Sequence, residues 1–129
     1  MTKKFYIDKE SLDAMVLQYY ADGDFTPELE RSISLIVEGV MSNWKWAWEK
    51  YPSWHRDDCY SDAYTQSMLA IYGKKWKKRV DTDHAFSFLT KCVQYAIIGQ
   101  RKRYLSKQRA FSKYALDVLG VNGNQENSL

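Results

Sequence analysis

Apolar residues recur at helical spacing through the first third of the chain. The first stripe, at i, i+3, i+4 and i+7, consists of Leu12, Met15, Val16 and Tyr19. It predicts a helix that is capped by Asp8 and ended by Gly23. Thr26 and Pro27 then provide a capping hydroxyl and a proline at the first helical position. The second stripe, which predicts a helix reaching about Trp44, consists of Leu29, Ile33, Ile36, Val37 and Val40.

Two further helices are predicted in the rest of the chain. The third begins at Asp57 and Asp58, ends at Gly73, and has one apolar face made of Ala63, Tyr64, Met68 and Ile71. The fourth runs from about Ala85 to Ala110 or beyond, about 39 Å at 1.5 Å per residue. Its first half supplies the core positions Phe86, Leu89, Val93, Ala96 and Ile97. The pattern predicts an all-α protein, a compact bundle of about four helices with a long basic C-terminal helix.

A tryptophan-rich segment separates the second and third predicted helices. Four tryptophans lie within residues 44–54, and Pro52 disfavours helix at Tyr51. Two interpretations stay open for these side chains. They either close the open end of the bundle core or form a docking patch, because tryptophan anchors interfaces well.

Composition agrees with one helical domain. The chain has 129 residues with only 2 prolines and 6 glycines, which favours long helices over a turn-rich β-protein. We expect the domain to cover residues 1–113 and a flexible tail to cover residues 114–129. No apolar run approaches the length of a membrane span and no signal peptide is present, so a cytoplasmic protein is expected.

The cysteines and histidines show no pattern typical of a metal or catalytic site. Cys59 and Cys92 have no metal-ligand spacing and are expected to be reduced thiols. His55 and His84 have no carboxylate or cysteine cluster around them in the sequence.

Charge is distributed unevenly along the chain. Residues 1–73 carry 7 Lys/Arg and 12 Asp/Glu, whereas residues 74–113 carry 12 Lys/Arg and 2 Asp. The second segment therefore has a net charge of +10, more than solubility requires. This charge predicts phosphate binding by the basic loop and the fourth helix.

Two sets of polar residues are candidates for binding. On the third helix, the side opposite the core is short-chained and half polar, which indicates a protein-binding face: Asp58, Ser61, Asp62, Thr65, Gln66 and Leu69. Cations hold phosphates, amides read base edges and exposed aromatics stack on bases. The nucleic-acid candidates on the exposed side of the fourth helix are Lys91, Gln94, Tyr95, Ile98, Arg101 and Lys102, and Trp76 in the basic loop is a second stacking candidate. Tyr95 is equally compatible with a core position that leaves its hydroxyl at the rim.

An enzyme is not expected. Asp58 and Asp62 share a helical face and lie near Asp57, which suggests a metal-dependent nuclease, but no further ligand completes such a site. The sequence also lacks a glycine-rich phosphate loop, an activated nucleophile motif and a zinc signature. We therefore expect no catalytic residues, no cofactor and no metal.

Three short segments carry a resemblance to a known family. Residues 57–63 and 68–71 resemble region 2.2 of bacterial sigma factors, and residues 85–90 and 95–97 resemble regions 2.3 and 2.4. Their order and spacing across residues 29–113 are similar to the late-transcription sigma factors of T-even-type bacteriophages. The fold implied is that of sigma region 2.

The resemblance implies a factor that directs core RNA polymerase to promoters by binding and melting a minus-ten element. The protein-binding face of the third helix would contact the clamp coiled coil of the polymerase. The opened promoter DNA would be contacted by Lys91, Gln94, Tyr95, Gln100, Arg101 and Arg103. The expected location is the cytoplasm of an infected bacterium, with no membrane partner.

Three departures from the family change these expectations. Cys92 and Val93 stand where housekeeping sigma factors carry a tryptophan pair, which leaves Tyr95 or Trp76 as substitutes in strand opening. No helix-turn-helix for an upstream element is expected, so promoters would be short or a co-activator would assist. Residues 115–119 faintly resemble the family's sliding-clamp peptide; the alternative is a helix end capped by Gly120 and a disordered tail over residues 121–129.

Two other functions stay open. A free-standing helical DNA- or RNA-binding regulator would need the basic helix but no polymerase. A polymerase-binding adaptor or inhibitor would need the third helix alone.

Overall fold

The computed structural model describes residues 7–117 of the chain. Its α-helices are α1 (Lys9–Asp22), α2 (Pro27–Met41), α3 (Ser53–Tyr72) and α4 (Ala85–Asp117), and two short 3₁₀ helices cover Trp44–Trp46 and Trp48–Lys50. No strand occurs in the part of the chain that the structure describes. The predicted all-α bundle with a long C-terminal helix is confirmed.

The predicted signals at the first two helices have the expected geometry. The Asp8 carboxylate accepts the backbone N–H of Ser11, and the Thr26 hydroxyl accepts that of Leu29. Gly23 has a φ of 76°, in the left-handed region that glycine adopts without a steric penalty. Local capping chemistry therefore sets both ends of α1 and the start of α2.

Helix α2 ends at Met41, three residues earlier than predicted. The chain turns there because two tryptophans fold back over the end of the helix. The indole N–H of Trp46 donates to the carbonyl of Val40 at 2.9 Å, and that of Trp48 donates to the carbonyl of Met41 at 2.6 Å. These bonds satisfy carbonyl groups that lack a partner at a helix C-terminus.

Helix α3 begins at Ser53 rather than at Asp57, so the predicted start was wrong. Tyr51 and Pro52 are extended as Pro52 requires, but the helix resumes directly after the proline. The extra turn places His55 and Cys59 on the same buried side as Ala63, at four-residue spacing. Burial of that side favours the earlier start.

The core is formed by one face of each helix. Its fully buried side chains include Leu12 and Val16 from α1, Leu29, Ile33 and Val37 from α2, Cys59, Ala63 and Ile71 from α3, and Leu89, Val93 and Ile97 from α4. The predicted stripes are therefore confirmed at their central positions. Met15, Tyr19, Val40, Tyr64, Met68 and Phe86 are only partly buried and pack around the edge of this cluster.

Helices α3 and α4 pack antiparallel. His55 near the start of α3 contacts Arg101 and Tyr104 of α4, while Leu69 near its end lines a groove with Phe88. Helix α4 has 33 residues, about 50 Å, and continues beyond the start of α3. None of the helices in residues 7–117 combines the length and apolar character that crossing a membrane requires.

The flexible tail was predicted to begin at residue 114, but residues 114–117 still belong to α4. Residues 115–117 of the suggested clamp peptide are thus helical. Its other two residues, the capping role of Gly120 and the tail over residues 121–129 lie outside the described residues.

A buried carboxylate joins α1 to the start of α4. Asp13 accepts the backbone N–H of Ala85 at 2.7 Å, and its other oxygen lies 3.0 Å from Lys78 Nζ and 2.9 Å from His84 Nδ1. Burial by itself raises the pKa of Asp13. The hydrogen bonds from Ala85, His84 and Lys78, with the charge of Lys78, outweigh burial and lower that pKa below 3.8. Asp13 thus caps α4 from a helix about seventy residues away in sequence.

Replacing this carboxylate should weaken the fold at neutral pH. Asp13→Asn keeps the shape but removes the charge that Lys78 faces, so the free energy of unfolding should fall by about 2 kcal/mol. Urea titration followed by circular dichroism measures this loss, with Asp24→Asn on the exposed surface as the control. An unchanged midpoint for Asp13→Asn would contradict the role of the carboxylate.

The same pair of proteins should respond differently to acid. Because the folded pKa of Asp13 is lowered, its stabilisation is complete above the ordinary value of 3.8 and is lost as pH falls through the lowered value. The difference in free energy of unfolding between wild type and Asp13→Asn should therefore be constant near neutral pH and should decrease below pH 3.8. A difference that stayed the same in acid would argue against the lowered pKa.

Candidate polymerase and nucleic-acid surfaces

The predicted protein-binding side of α3 faces solvent. Asp58, Ser61, Thr65 and Gln66 are exposed, and Leu69 exposes half of its surface. Asp62 is half-buried because Arg103 of α4 lies 3.6 Å from its carboxylate. The six residues therefore form one continuous outer face, and Leu69 is the only large apolar side chain on it.

Tyr95 is the largest exposed aromatic in the middle of α4. It exposes 68% of its surface, so the core position that its sequence context also allowed is excluded. Lys91, Lys102 and Arg103 are exposed as well, while Gln94 and Gln100 are half-buried. An exposed ring flanked by cations can stack on a base while the cations neutralise phosphates.

The two predicted surfaces meet in one groove between α3 and α4. It has a volume of about 560 Å³ and is lined by Asp62, Gln66 and Leu69 from α3 and by Tyr95 and Arg103 from α4. Small side chains at its base keep it open: Ala70, Cys92, Ala96 and Gly99.

The other α4 candidates do not share this groove. Gln94 faces a second groove of about 290 Å³ between α2 and α4, lined also by Trp46 and Thr90. Lys91 faces the basic loop, beside Lys77 and Arg79. The predicted nucleic-acid residues thus spread over three sides of α4, and only Tyr95 and Arg103 adjoin the protein-binding face.

The expected stacking role of Trp76 is wrong. The ring is 4% exposed and packs in the core, and the backbone carbonyl of Trp76 accepts the Tyr20 hydroxyl at 2.9 Å. Within the loop only Trp76 is buried; Lys77 and Arg79 are exposed, and Lys78 is exposed as well although its Nζ donates to the Asp13 carboxylate. A basic loop needs an apolar anchor to be held on the bundle, and the single aromatic in this loop supplies it.

Arg101 also has a different role from the one predicted. Its Nε donates to Nε2 of His55 at 3.0 Å, and its guanidinium carbon lies 3.8 Å from the centre of the Tyr51 ring and 5.1 Å from that of Trp48. The guanidinium is therefore held among aromatic rings rather than presented to a phosphate. We call this group, completed by Tyr104, the arginine cluster; it joins the tryptophan-rich segment to α4.

His55 is neutral in this cluster. Burial lowers its pKa, and the charge of Arg101 lowers it further against the opposing effect of Asp58. A neutral ring is required because Nε2 accepts the Arg101 bond. Burial also raises the pKa of the neighbouring Cys59 to about 11, so that thiol stays protonated.

Sequence patterns did not reveal the arginine cluster or the Asp13 tie. One signal was present for each: His55 falls four residues before Cys59 on the apolar side of α3, and Asp13 lies between core positions of α1. Nothing in the sequence distinguishes Arg101 from its basic neighbours. The partners of these polar groups come from distant parts of the chain.

The four tryptophans of the tryptophan-rich segment fall into two groups, one packed against the core and one exposed. Trp46 and Trp48 close the end of the core, as one interpretation predicted. Trp44 is 88% exposed and Trp54 is also more than half exposed, so these two are available for contact with another molecule.

Comparisons with known proteins add no assignment. The chain matches no model of a protein family, no curated protein and no solved structure. Within residues 7–117, no group of three or more His, Cys, Asp or Glu side chains could hold a metal ion. Function is therefore inferred from the surfaces of α3 and α4.

Reversing the charge of Arg101 should damage the fold rather than a binding surface. Arg101→Glu loses the His55 bond and the aromatic contacts, which should reduce the free energy of unfolding by about 3 kcal/mol. Lys102→Glu, on the exposed side of the same helix, should change it by less than about 0.5 kcal/mol. Thermal unfolding followed by tryptophan fluorescence compares the two. Equal stability of both variants would remove the structural role of Arg101.

Proposed function

We propose that this protein is an RNA polymerase sigma factor that directs core polymerase to promoters by binding and melting a minus-ten-like element. It would have no catalytic activity of its own and would act in late transcription in the cytoplasm of a bacteriophage-infected cell. The observation that carries the proposal is the groove in which the outer face of α3 meets Tyr95 and Arg103 of α4. A factor that connects polymerase to opened DNA needs those two surfaces side by side.

The outer face of α3 is the proposed polymerase contact. Its short polar side chains allow close approach of a partner helix, and exposed Leu69 offers an apolar anchor. Asp58 and Asp62 add negative charge, which suits a basic partner surface. The clamp coiled coil of core polymerase is the partner that the sigma-factor resemblance implies.

Tyr95 and the exposed cations of α4 are the proposed DNA contacts. Tyr95 would stack on an unpaired base, and Lys91, Lys102 and Arg103 would hold phosphates. Unpaired bases become available only after melting, which costs a few kcal/mol per base step. Polymerase binding would have to offset that cost, so the isolated protein should bind DNA weakly and lose this binding as salt rises. Trp76 and Arg101 are not part of this surface.

One observation favours a second candidate function. Lys75, Lys77 and Arg79 lie beside Lys91 around a depression of about 320 Å³. A dense cluster of cations can bind duplex DNA or RNA without any polymerase, which would suit a free-standing regulator. An adaptor or inhibitor that uses α3 alone is the third possibility.

The decisive experiment is co-purification with core RNA polymerase, bacterial or phage-encoded, followed by transcription from AT-rich minus-ten templates. Stable binding with promoter-dependent initiation would support the sigma factor. Binding without initiation would favour an adaptor, an inhibitor, or a factor that needs a co-activator or sliding clamp. Failure to bind any of these polymerases, with tight duplex binding by the protein alone, would favour the regulator.

Two pairs of substitutions should separate the proposed surfaces. Asp62→Lys with Gln66→Lys should weaken polymerase binding by about tenfold or more, because it reverses charge at the partner face. Lys91→Glu with Lys102→Glu should leave polymerase binding within about threefold while greatly reducing initiation. Both are measured by affinity to labelled core polymerase and by run-off transcription. Equal loss of both activities in both variants would contradict the division between α3 and α4.

A further inference from the structure

Helix α4 extends beyond the start of α3, the helix that packs against it. Helix α3 begins at Ser53, and Trp54 and His55 contact Tyr104, so packing by α3 stops near that residue. Helix α4 continues over residues 105–117, about 20 Å at 1.5 Å per residue. We call residues 105–117 the overhang.

An apolar seam runs along the overhang in line with the core face of α4. Ile97 is buried in the core, and Tyr104, Phe111 and Ala115 follow it at spacings of seven, seven and four residues, which keeps them on one side of a helix. The polar Gln108 lies on the same side between Tyr104 and Phe111. Phe111 is 65% exposed. Further exposed apolar side chains flank it: Leu105, Tyr114 and Leu116. The side of α4 that is buried inside the bundle is therefore repeated where no described residue covers it.

Trp54 closes the bundle end of this seam. Its ring centre lies 5.7 Å from that of Tyr104, and the ring is itself more than half exposed. A helix placed on the overhang would thus continue the packing of α3 along α4 and meet Trp54 with its end. This geometry suits a second helix better than an extended peptide, because the apolar residues lie along one side of a helix in line with the side that α3 already packs against.

Charge indicates what kind of helix fits. Over Ala85–Asp117 the sequence of α4 contains seven Lys and Arg residues and one acid, Asp117. Lys107 falls between Tyr104 and Phe111 at the edge of the seam, where a partner's flanking residues would lie. The α4 helix of a second copy would bring like charges together, so the complementary helix is an acidic one.

We propose that the overhang is a docking helix for an acidic amphipathic helix of another protein. The partner's apolar side covers Tyr104, Phe111 and Ala115, and its acidic residues face Lys107. Lys102, Arg109 and Lys113 lie on the opposite side of α4, by their spacing of seven and four residues, where Lys113 pairs with Asp117 at 3.8 Å. This contact is separate from the outer face of α3 and does not rest on the sigma-factor assignment.

The test uses the full chain and two synthetic helical peptides of about three heptads, both with leucine at a and d. One carries glutamate at the flanking e and g positions and the other carries lysine. The acidic peptide should bind at least about tenfold more tightly than the basic one, measured by calorimetry. It should also shift the tryptophan fluorescence, and Trp54→Phe should remove most of that shift.

A matched pair of variants locates the contact. Phe111→Ala should weaken binding of the acidic peptide by about tenfold, while Lys113→Ala on the other side of the overhang should stay within about threefold. Alanine favours helix, so circular dichroism should show that neither variant unfolds α4. Retention of DNA binding by Phe111→Ala separates this result from any failure of the proposed promoter function.

Four outcomes would overturn the proposal. They are equal binding of both peptides, acidic-peptide binding that Phe111→Ala leaves unchanged, tighter binding to vesicles rich in phosphatidylglycerol than to the acidic peptide, and concentration-dependent self-association that Phe111→Ala abolishes. The third would make the overhang a lipid-binding helix, and the fourth would make it an interface between copies of this chain.

Discussion

The carboxylate of Asp13 organises the part of the molecule on which the candidate surfaces lie. An ionised carboxylate is costly to bury, and here three donors compensate: the backbone N–H of Ala85, the Lys78 ammonium and the His84 ring. Through those bonds α1 sets where α4 begins and how the basic loop returns to the bundle. The positions of Lys91 and Tyr95 along α4 follow from that starting point.

A second polar contact holds α4 farther along. Arg101 is clasped by neutral His55 and by the rings of Tyr51 and Trp48, which joins α4 to the start of α3 and to the tryptophan-rich segment. Between these two attachments α4 lies against the core, and beyond the second none of the other described elements packs against it. The groove beside Tyr95 therefore lies between two points where α4 is attached to the bundle, whereas the overhang presents an apolar side with no described partner. The overhang follows from where α3 begins, because Trp54 and His55 of its first turn meet Tyr104.

Most of the fold could be predicted from sequence, and less of the candidate site. Periodic stripes located all four helices and their central core residues, and the outer face of α3 is exposed as expected. The predictions were wrong where a binding role was assigned to a polar or aromatic side chain from its residue type, without knowing whether that side chain is buried. Trp76 and Arg101 have the residue types of nucleic-acid contacts, yet one anchors a loop and the other holds a cluster together. Tyr95, which the sequence left undecided, is the exposed aromatic.

The correct predictions concern interactions between residues close together in the sequence, and the wrong ones concern contacts between distant parts of the chain. Helix caps such as Asp8 and Thr26, the proline start of α2 and the apolar periodicity act within a few residues, so the amino-acid sequence determines them directly. Whether a given cation is exposed depends on partners that the chain brings from far away. Arg101 meets His55 across 46 residues and Ala85 meets Asp13 across 72 residues. Neighbouring Arg101 and Lys102 both carry a positive charge, but contacts with His55, Tyr51 and Trp48 make the first a structural residue, whereas the second is exposed.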